Sequence, residues 1–150
     1  DSNRSHGLPA FLAEDAGVDS GLMLAHYTAA AMCGENRLLA APASVDTFAT
    51  SGMQEDHVSM AWGAARKLRK VIANVSRILA IELMVAARAI DLRAPIEPAP
   101  ATAAVINTLR TVVAGPGPDR ALSPEIAAAE VLVADGSVVE SATTVTGALD

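Results

Sequence analysis

The chain has 150 residues, room for one domain with its own core, and 51% of them are hydrophobic while only 3% are aromatic. A formal charge of −6 argues against nucleic acid as a partner, and the single cysteine, Cys33, excludes an intrachain disulfide and fits a reducing compartment. The apolar mass is Ala, Val, Leu, Ile and Met, a composition that favours closely packed helices over a β-sandwich and predicts an all-α fold.

Residues 1–19 read as loop, with Gly7, Pro9 and Gly17 as breakers. The polar start Asp1-Ser2-Asn3-Arg4-Ser5-His6 has no signal-peptide pattern and no initiator Met, as if cut from something longer. Asp19 or Ser20 is placed to cap a buried helix over about 20–40, which Pro42 ends. From Leu22 to Leu39 that helix is apolar nearly all round, so it is expected to be buried on all sides in a large assembly. Cys33 within it reads as an inert buried thiol.

An irregular connection over 41–55 leads to a long helix over about 56–92, whose apolar positions from Val58 through Leu68, Ile72, Leu79 and Leu83 to Ile90 keep a helical period. Such a helix is a strut in a long-helix bundle. Glu82 is its anomaly, because no basic residue lies three or four positions away; a partner on a neighbouring helix is expected rather than a catalytic role. The basic group Arg66, Lys67, Arg69, Lys70 and Arg77 lacks interleaved aromatics other than Trp62 and reads as a solvated or inter-subunit face. Asn74-Val75-Ser76 matches a glycosylation sequon only by chance.

Pro95, Pro98 and Pro100 divide a bundle part, 1–95, from carboxy-terminal helices and tail, 96–150. A short helix is expected over about 101–113. Another starts at Ser123-Pro124-Glu125 and stops at Asp135-Gly136, and the Val- and Thr-rich tail 137–150 is expected to be extended. The longest apolar stretch, Ile78 to Ile90, is broken by Glu82 and Arg88, so no membrane span is predicted despite a mean hydropathy of +0.34. That surplus of apolar residues predicts an oligomer.

Phosphate-binding glycine loops, paired-cysteine metal sites and nucleophile elbows are all missing, and His6, His26 and His57 share no helix face; no metal site is expected. The polar segment from Thr50 to Met60 supports two compatible readings. Ser51 and Gln54 form a capping box with Glu55 and Asp56 at a helix amino terminus, or Glu55 points into a pocket and binds a polar or cationic group. Spacing leaves both open.

Gly7-Leu8-Pro9-Ala10-Phe11-Leu12, Ser20-Gly21-Leu22-Met23 and Tyr27-Thr28-Ala29-Ala30-Ala31 resemble the carboxy-terminal part of the histidine ammonia-lyase family. So do Glu35-Asn36, Pro42-Ala43-Ser44-Val45-Asp46, Thr50-Ser51, the run Gln54 to Met60, and Ile78-Leu79-Ala80-Ile81-Glu82-Leu83. Pro118-Asp119-Arg120 and Ser123-Pro124-Glu125-Ile126 are similar to that family's last helices, particularly in actinobacterial members.

The resemblance implies a cytoplasmic helical homotetramer that eliminates ammonia from L-histidine to give trans-urocanate. It implies a methylidene-imidazolone electrophile built from an Ala-Ser-Gly triplet, and no external cofactor. Glu55 matches the family glutamate beside the substrate's imidazole, a catalytic and substrate-binding position, and Met23 matches a methionine lining the same pocket. Gln54 and His57 are expected near it as supporting residues. The chain contains no Ala-Ser-Gly triplet, since Ala43-Ser44 precedes Val45 and Thr50 precedes Ser51-Gly52. The electrophile, the tyrosine base and the carboxylate-binding arginine therefore belong to an amino-terminal portion, and these residues alone are not expected to be active. A tyrosine ammonia-lyase of the same superfamily and a non-catalytic orphan helical fragment are the alternatives; proteolysis or gene splitting would account for the piece.

Overall fold

The computed structural model of the chain describes residues 4–45 and 47–148; the start Asp1-Ser2-Asn3, Asp46 of the Pro42–Asp46 motif, and Leu149 and Asp150 of the tail lie outside the described residues. Five helices follow in order: α1 (Met23–Leu39), α2 (Ala61–Asp91), α3 (Pro100–Arg110), α4 (Ser123–Ala134) and α5 (Ser137–Thr146), with one-turn 3₁₀ segments at Ala10–Leu12 and Ser51–Met53. Among the described residues the only β-pairing is isolated bridges, so the fold is all-α as composition predicts. Contacts group the chain into two units, Asp1–Ala29 with Ser76–Asp150, and Ala30–Val75. The unit boundaries fall inside α1 and α2, and Pro95 lies within the first unit.

The first unit holds the core. Ala80, Ile81, Met84 and Ala87 recur at helical spacing on α2, and they are buried together with Leu22, Ala25, Ile106, Leu109, Val113, Ile126 and Ala129. Arg88, which breaks the apolar run in the sequence, is also buried, only 5% exposed. Its Nε donates to the Leu12 carbonyl at 2.7 Å and its second guanidinium nitrogen to the Gly117 carbonyl at 3.1 Å. A buried cation is tolerated only with such partners, so Arg88 ties two loops to α2.

The second unit buries differently. Among its described residues only Asn74 is buried, at 8% exposure, and no hydrophobic side chain is. Asn74 Nδ2 donates to Glu35 at 2.7 Å and to Asn36 at 2.9 Å, while Lys70 pairs with the other Glu35 oxygen. The Lys70 ammonium, then Asn74, hold the Glu35 carboxyl below the usual carboxylate range. The sequon amide is thus consumed in hydrogen bonds inside the fold. Lys67 bonds the Ala41 carbonyl, and in the first unit Arg77 pairs with Glu130 at 2.8 Å, so with Arg88 four of the basic side chains on α2 have partners.

Within this chain α1 buries only Ala25 and leaves Leu24, Tyr27, Leu38 and Cys33 exposed. Three expectations are corrected. The long helix begins at Ala61 rather than about residue 56, because the backbone before it is engaged elsewhere, as described below. Asp19 does not cap α1, its carboxylate accepting the Asp119 N–H at 3.2 Å instead. The tail is helical over Ser137–Thr146 and not extended. There Asp135 accepts the Ser137 hydroxyl at 2.6 Å and its N–H at 2.9 Å, which holds the Asp135 carboxyl below the usual aspartate range. Contacts with α3 and α4 then override the modest helix propensity of Val and Thr.

Candidate functional site

The segment carrying Gln54, Glu55 and His57 is a closed loop in the second unit, and the capping-box reading of Ser51 and Gln54 is not what forms. Ser51, Gly52 and Met53 all adopt positive φ, at 54°, 63° and 72°, turning the chain sharply rather than starting a helix. Thr50 and Glu55 face each other across that turn, the Thr50 N–H reaching the Glu55 carbonyl at 3.0 Å and the Glu55 N–H the Thr50 carbonyl at 3.4 Å. Outside this pair, Thr47 Oγ1 accepts the Val58 N–H at 2.8 Å and donates to the Val58 carbonyl at 2.9 Å. Further out, Ser44 Oγ accepts the Met60 N–H at 3.2 Å.

Ser44, Thr47 and Thr50 thus form three successive rungs at three-residue spacing, and α2 follows immediately after the last bonded amide. Side-chain hydroxyls compete with helix for backbone groups, which is why the apolar period running back to Val58 does not become helix. Gln54, Glu55, Asp56 and His57 are all exposed in this chain. Glu55 forms no side-chain hydrogen bond or ion pair among the described residues, so its carboxylate is available to a ligand.

Met23 lies in the first unit as the first residue of α1 and is half-buried. Its entry is fixed from far along the sequence. Asp119 accepts the Ser20 N–H at 2.7 Å and the Gly21 N–H at 2.8 Å, and Leu22 donates to the Phe11 carbonyl at 2.9 Å. Gly21 sits at φ +55°, where a Cβ would come within 2.6 Å of the Phe11 carbonyl oxygen. The four residues matched by the sequence, Met23, Gln54, Glu55 and His57, therefore divide between a clamped helix start and a clamped loop.

The Ser20 backbone N–H, ahead of Gly21, holds the Asp119 carboxyl below the usual aspartate range, against some loss of solvation. A group whose folded pKa is depressed stabilises above its unfolded pKa, about 3.9 for Asp, and that stabilisation is lost as pH falls through the folded value. Asp119→Asn is therefore expected to lower the thermal midpoint near neutral pH, with the gap to the unchanged protein closing in strong acid. Melting curves at both pH values check this, and a gap of equal size would mean the charge is not what holds the junction.

Glu82 is exposed, with no ion pair among the described residues, where a neighbouring-helix partner was expected. It stands with His26 at an apolar groove of about 420 Å³ in the first unit, lined by Phe11, Leu22, Ile78 and Val85. Among the described residues no three His, Cys, Asp or Glu side chains gather as a metal site. Sequence reasoning missed Thr47, Ser44, Asp119 and Arg88; the regular hydroxyls at 44, 47 and 50 are the signal from which the first two could have been found.

The profile of the aromatic amino acid lyase family matches residues 1–111. The chain is 62% identical to histidine ammonia-lyase of Streptomyces avermitilis over 150 residues, covering 99% of this chain and 29% of that protein. The crystal structure of histidine ammonia-lyase from Trypanosoma cruzi superposes with a TM-score of 0.91 at 40% identity, over 96% of this chain and 28% of that one. Tyrosine aminomutase from Streptomyces globisporus gives a TM-score of 0.88 at 34% identity, over 94% of this chain and 27% of that one. The chain thus spans less than a third of the length of the relatives it matches.

Proposed function

Because the chain belongs to the aromatic amino acid lyase family, we propose that it is the carboxy-terminal part of a lyase that eliminates ammonia from L-histidine to give trans-urocanate. The identity to the Streptomyces histidine ammonia-lyase over nearly the whole chain carries the reading. Glu55, on its closed loop, accepts an N–H of the substrate imidazole. In a dry pocket that contact is stronger than in water, because a low local dielectric raises charge interactions. Met23 gives the substrate's side chain an adaptable apolar contact, and Gln54 and His57 support Glu55 from its own loop.

The electrophile is a methylidene-imidazolone that activates the substrate's amino group as leaving group. It comes from outside these residues, since they contain no Ala-Ser-Gly triplet. Residues 1–95 belong to the helical bundle and 96–150 to the carboxy-terminal helices. The working form is a cytoplasmic homotetramer with the amino-terminal portion in place. Exposed Leu24, Tyr27, Leu38, Leu68 and Ile72 support that assembly, and among the described residues no helix is long and apolar enough to cross a membrane.

A tyrosine-specific enzyme is the second reading, favoured by the tyrosine aminomutase likeness but at lower identity. The test is product formation by the complete polypeptide, with L-histidine and L-tyrosine supplied separately and in competition, beside a denaturing intact-mass spectrum. Urocanate formed in preference, from a protein carrying a dehydrated Ala-Ser-Gly segment, is the expected result. Preference for tyrosine would overturn the substrate. No turnover of either would favour the non-catalytic fragment.

A further inference from the structure

We propose that Thr47 is the positioning residue for Glu55, its hydroxyl fixing the base of the loop from which that carboxylate meets the substrate; this rests on the reading that Glu55 binds the imidazole. One hydroxyl serves both backbone groups of Val58, accepting at 2.8 Å and donating at 2.9 Å in a part-buried setting. It does the work of an absent strand partner. The pairing it encloses is weaker, the Glu55 N–H lying 3.4 Å from the Thr50 carbonyl. The turn within has three consecutive residues at positive φ, two of them not glycine. Such a turn persists only where its surroundings hold it.

Within this chain apolar packing does not hold it, since Phe48 and Met53 on the loop are exposed. The competing structure is α2 itself. Val58 continues the apolar period of that helix, so a freed Val58 amide lets the first turn propagate back toward Glu55 and swing its side chain round. Thr47 blocks that extension at Val58, and Ser44 blocks it again at Met60.

The experiment is steady-state kinetics of the complete enzyme with L-histidine for Thr47→Val, Thr47→Ser, Glu55→Gln and Thr47→Val combined with Glu55→Gln. Thr47→Val keeps the shape but neither hydrogen bond, and is expected to raise KM with a loss of about tenfold in kcat/KM. Thr47→Ser retains the hydroxyl and should stay within about twofold of the unchanged enzyme. Because Thr47 acts through Glu55, adding Thr47→Val to Glu55→Gln should cost less than about twofold more.

Losses that multiply would overturn the proposal, since Thr47 would then act on something other than Glu55. A Thr47→Val protein that does not fold would overturn it too, making Thr47 a residue of the fold. If Glu55→Gln is impaired and Thr47→Val is not, this inference alone fails. If Glu55→Gln is unimpaired, the reading of Glu55 fails and the inference with it.

Discussion

Glu55→Gln in the complete lyase is expected to lower kcat/KM for L-histidine by roughly 10²-fold, equivalent to about 3 kcal/mol of lost transition-state binding. The substitution preserves size and one acceptor oxygen but removes the charge. Glu55 has no side-chain partner among the described residues, so the change orphans no group within them. Its thermal midpoint should match that of the unchanged enzyme. The loss should be confined to substrates whose ring carries an N–H or O–H donor: any slow turnover of phenylalanine should fall less, because its ring gives the carboxylate nothing to accept from. Kinetics on both substrates, beside a melting curve, check this. Histidine turnover close to normal would end the role assigned to Glu55.

Gly21→Ala carries the largest expected effect on stability. At φ +55° a side chain is already strained by about 1 kcal/mol. The new Cβ would also meet the Phe11 carbonyl oxygen at 2.6 Å, Ala13 N at 3.0 Å and Ala13 Cα at 3.1 Å. All three are backbone atoms, so no side-chain rotation relieves the contact. Relief requires moving either the 3₁₀ turn or the start of α1, which would break the Leu22 bond to Phe11 and disturb the Asp119 clamp. A total loss of about 2–4 kcal/mol is expected. Thermal denaturation measures it, and KM for histidine should rise as well, since Met23 follows two residues later. An unchanged midpoint would show that the junction yields without penalty.

How much of this was legible in the sequence follows from where each signal is local. Helix α4 has the expected bounds, because Pro124 and the Asp135-Gly136 stop act through neighbouring residues, although Ser123 is itself helical and its hydroxyl makes no cap bond. Helix α1 was visible through its apolar run and Pro42, though its start lies at Met23 because a carboxylate 98 residues from Gly21 fixes its entry. The start of α2 was misread for the same kind of reason: Glu55 and Asp56 look like first-turn acids, while the hydroxyls of Thr47 and Ser44 take the amides that would have begun the helix. Helix α5 was misread because Val and Thr favour strands in isolation, whereas contacts with α3 and α4 decide the matter. At the candidate site, resemblance singled out Glu55 and Met23, but spacing could not separate a capping box from a ligand contact. The positive-φ turn excludes the box, and it is invisible in composition because Ser51 and Met53 are not residues that announce such a backbone.

The burial pattern of residues 30–75 bears on the order in which this protein becomes itself. Ordering the backbone of one residue costs about 1–2 kcal/mol, and a typical hydrogen bond returns only about 1 kcal/mol. A segment whose one buried side chain among the described residues is that of Asn74 has little else with which to offset that entropy. Its amides should exchange with solvent sooner than those near Leu109, which is fully buried. The loop between Thr50 and Glu55, inside that segment, is then expected to be among the last parts of the chain to order as it folds.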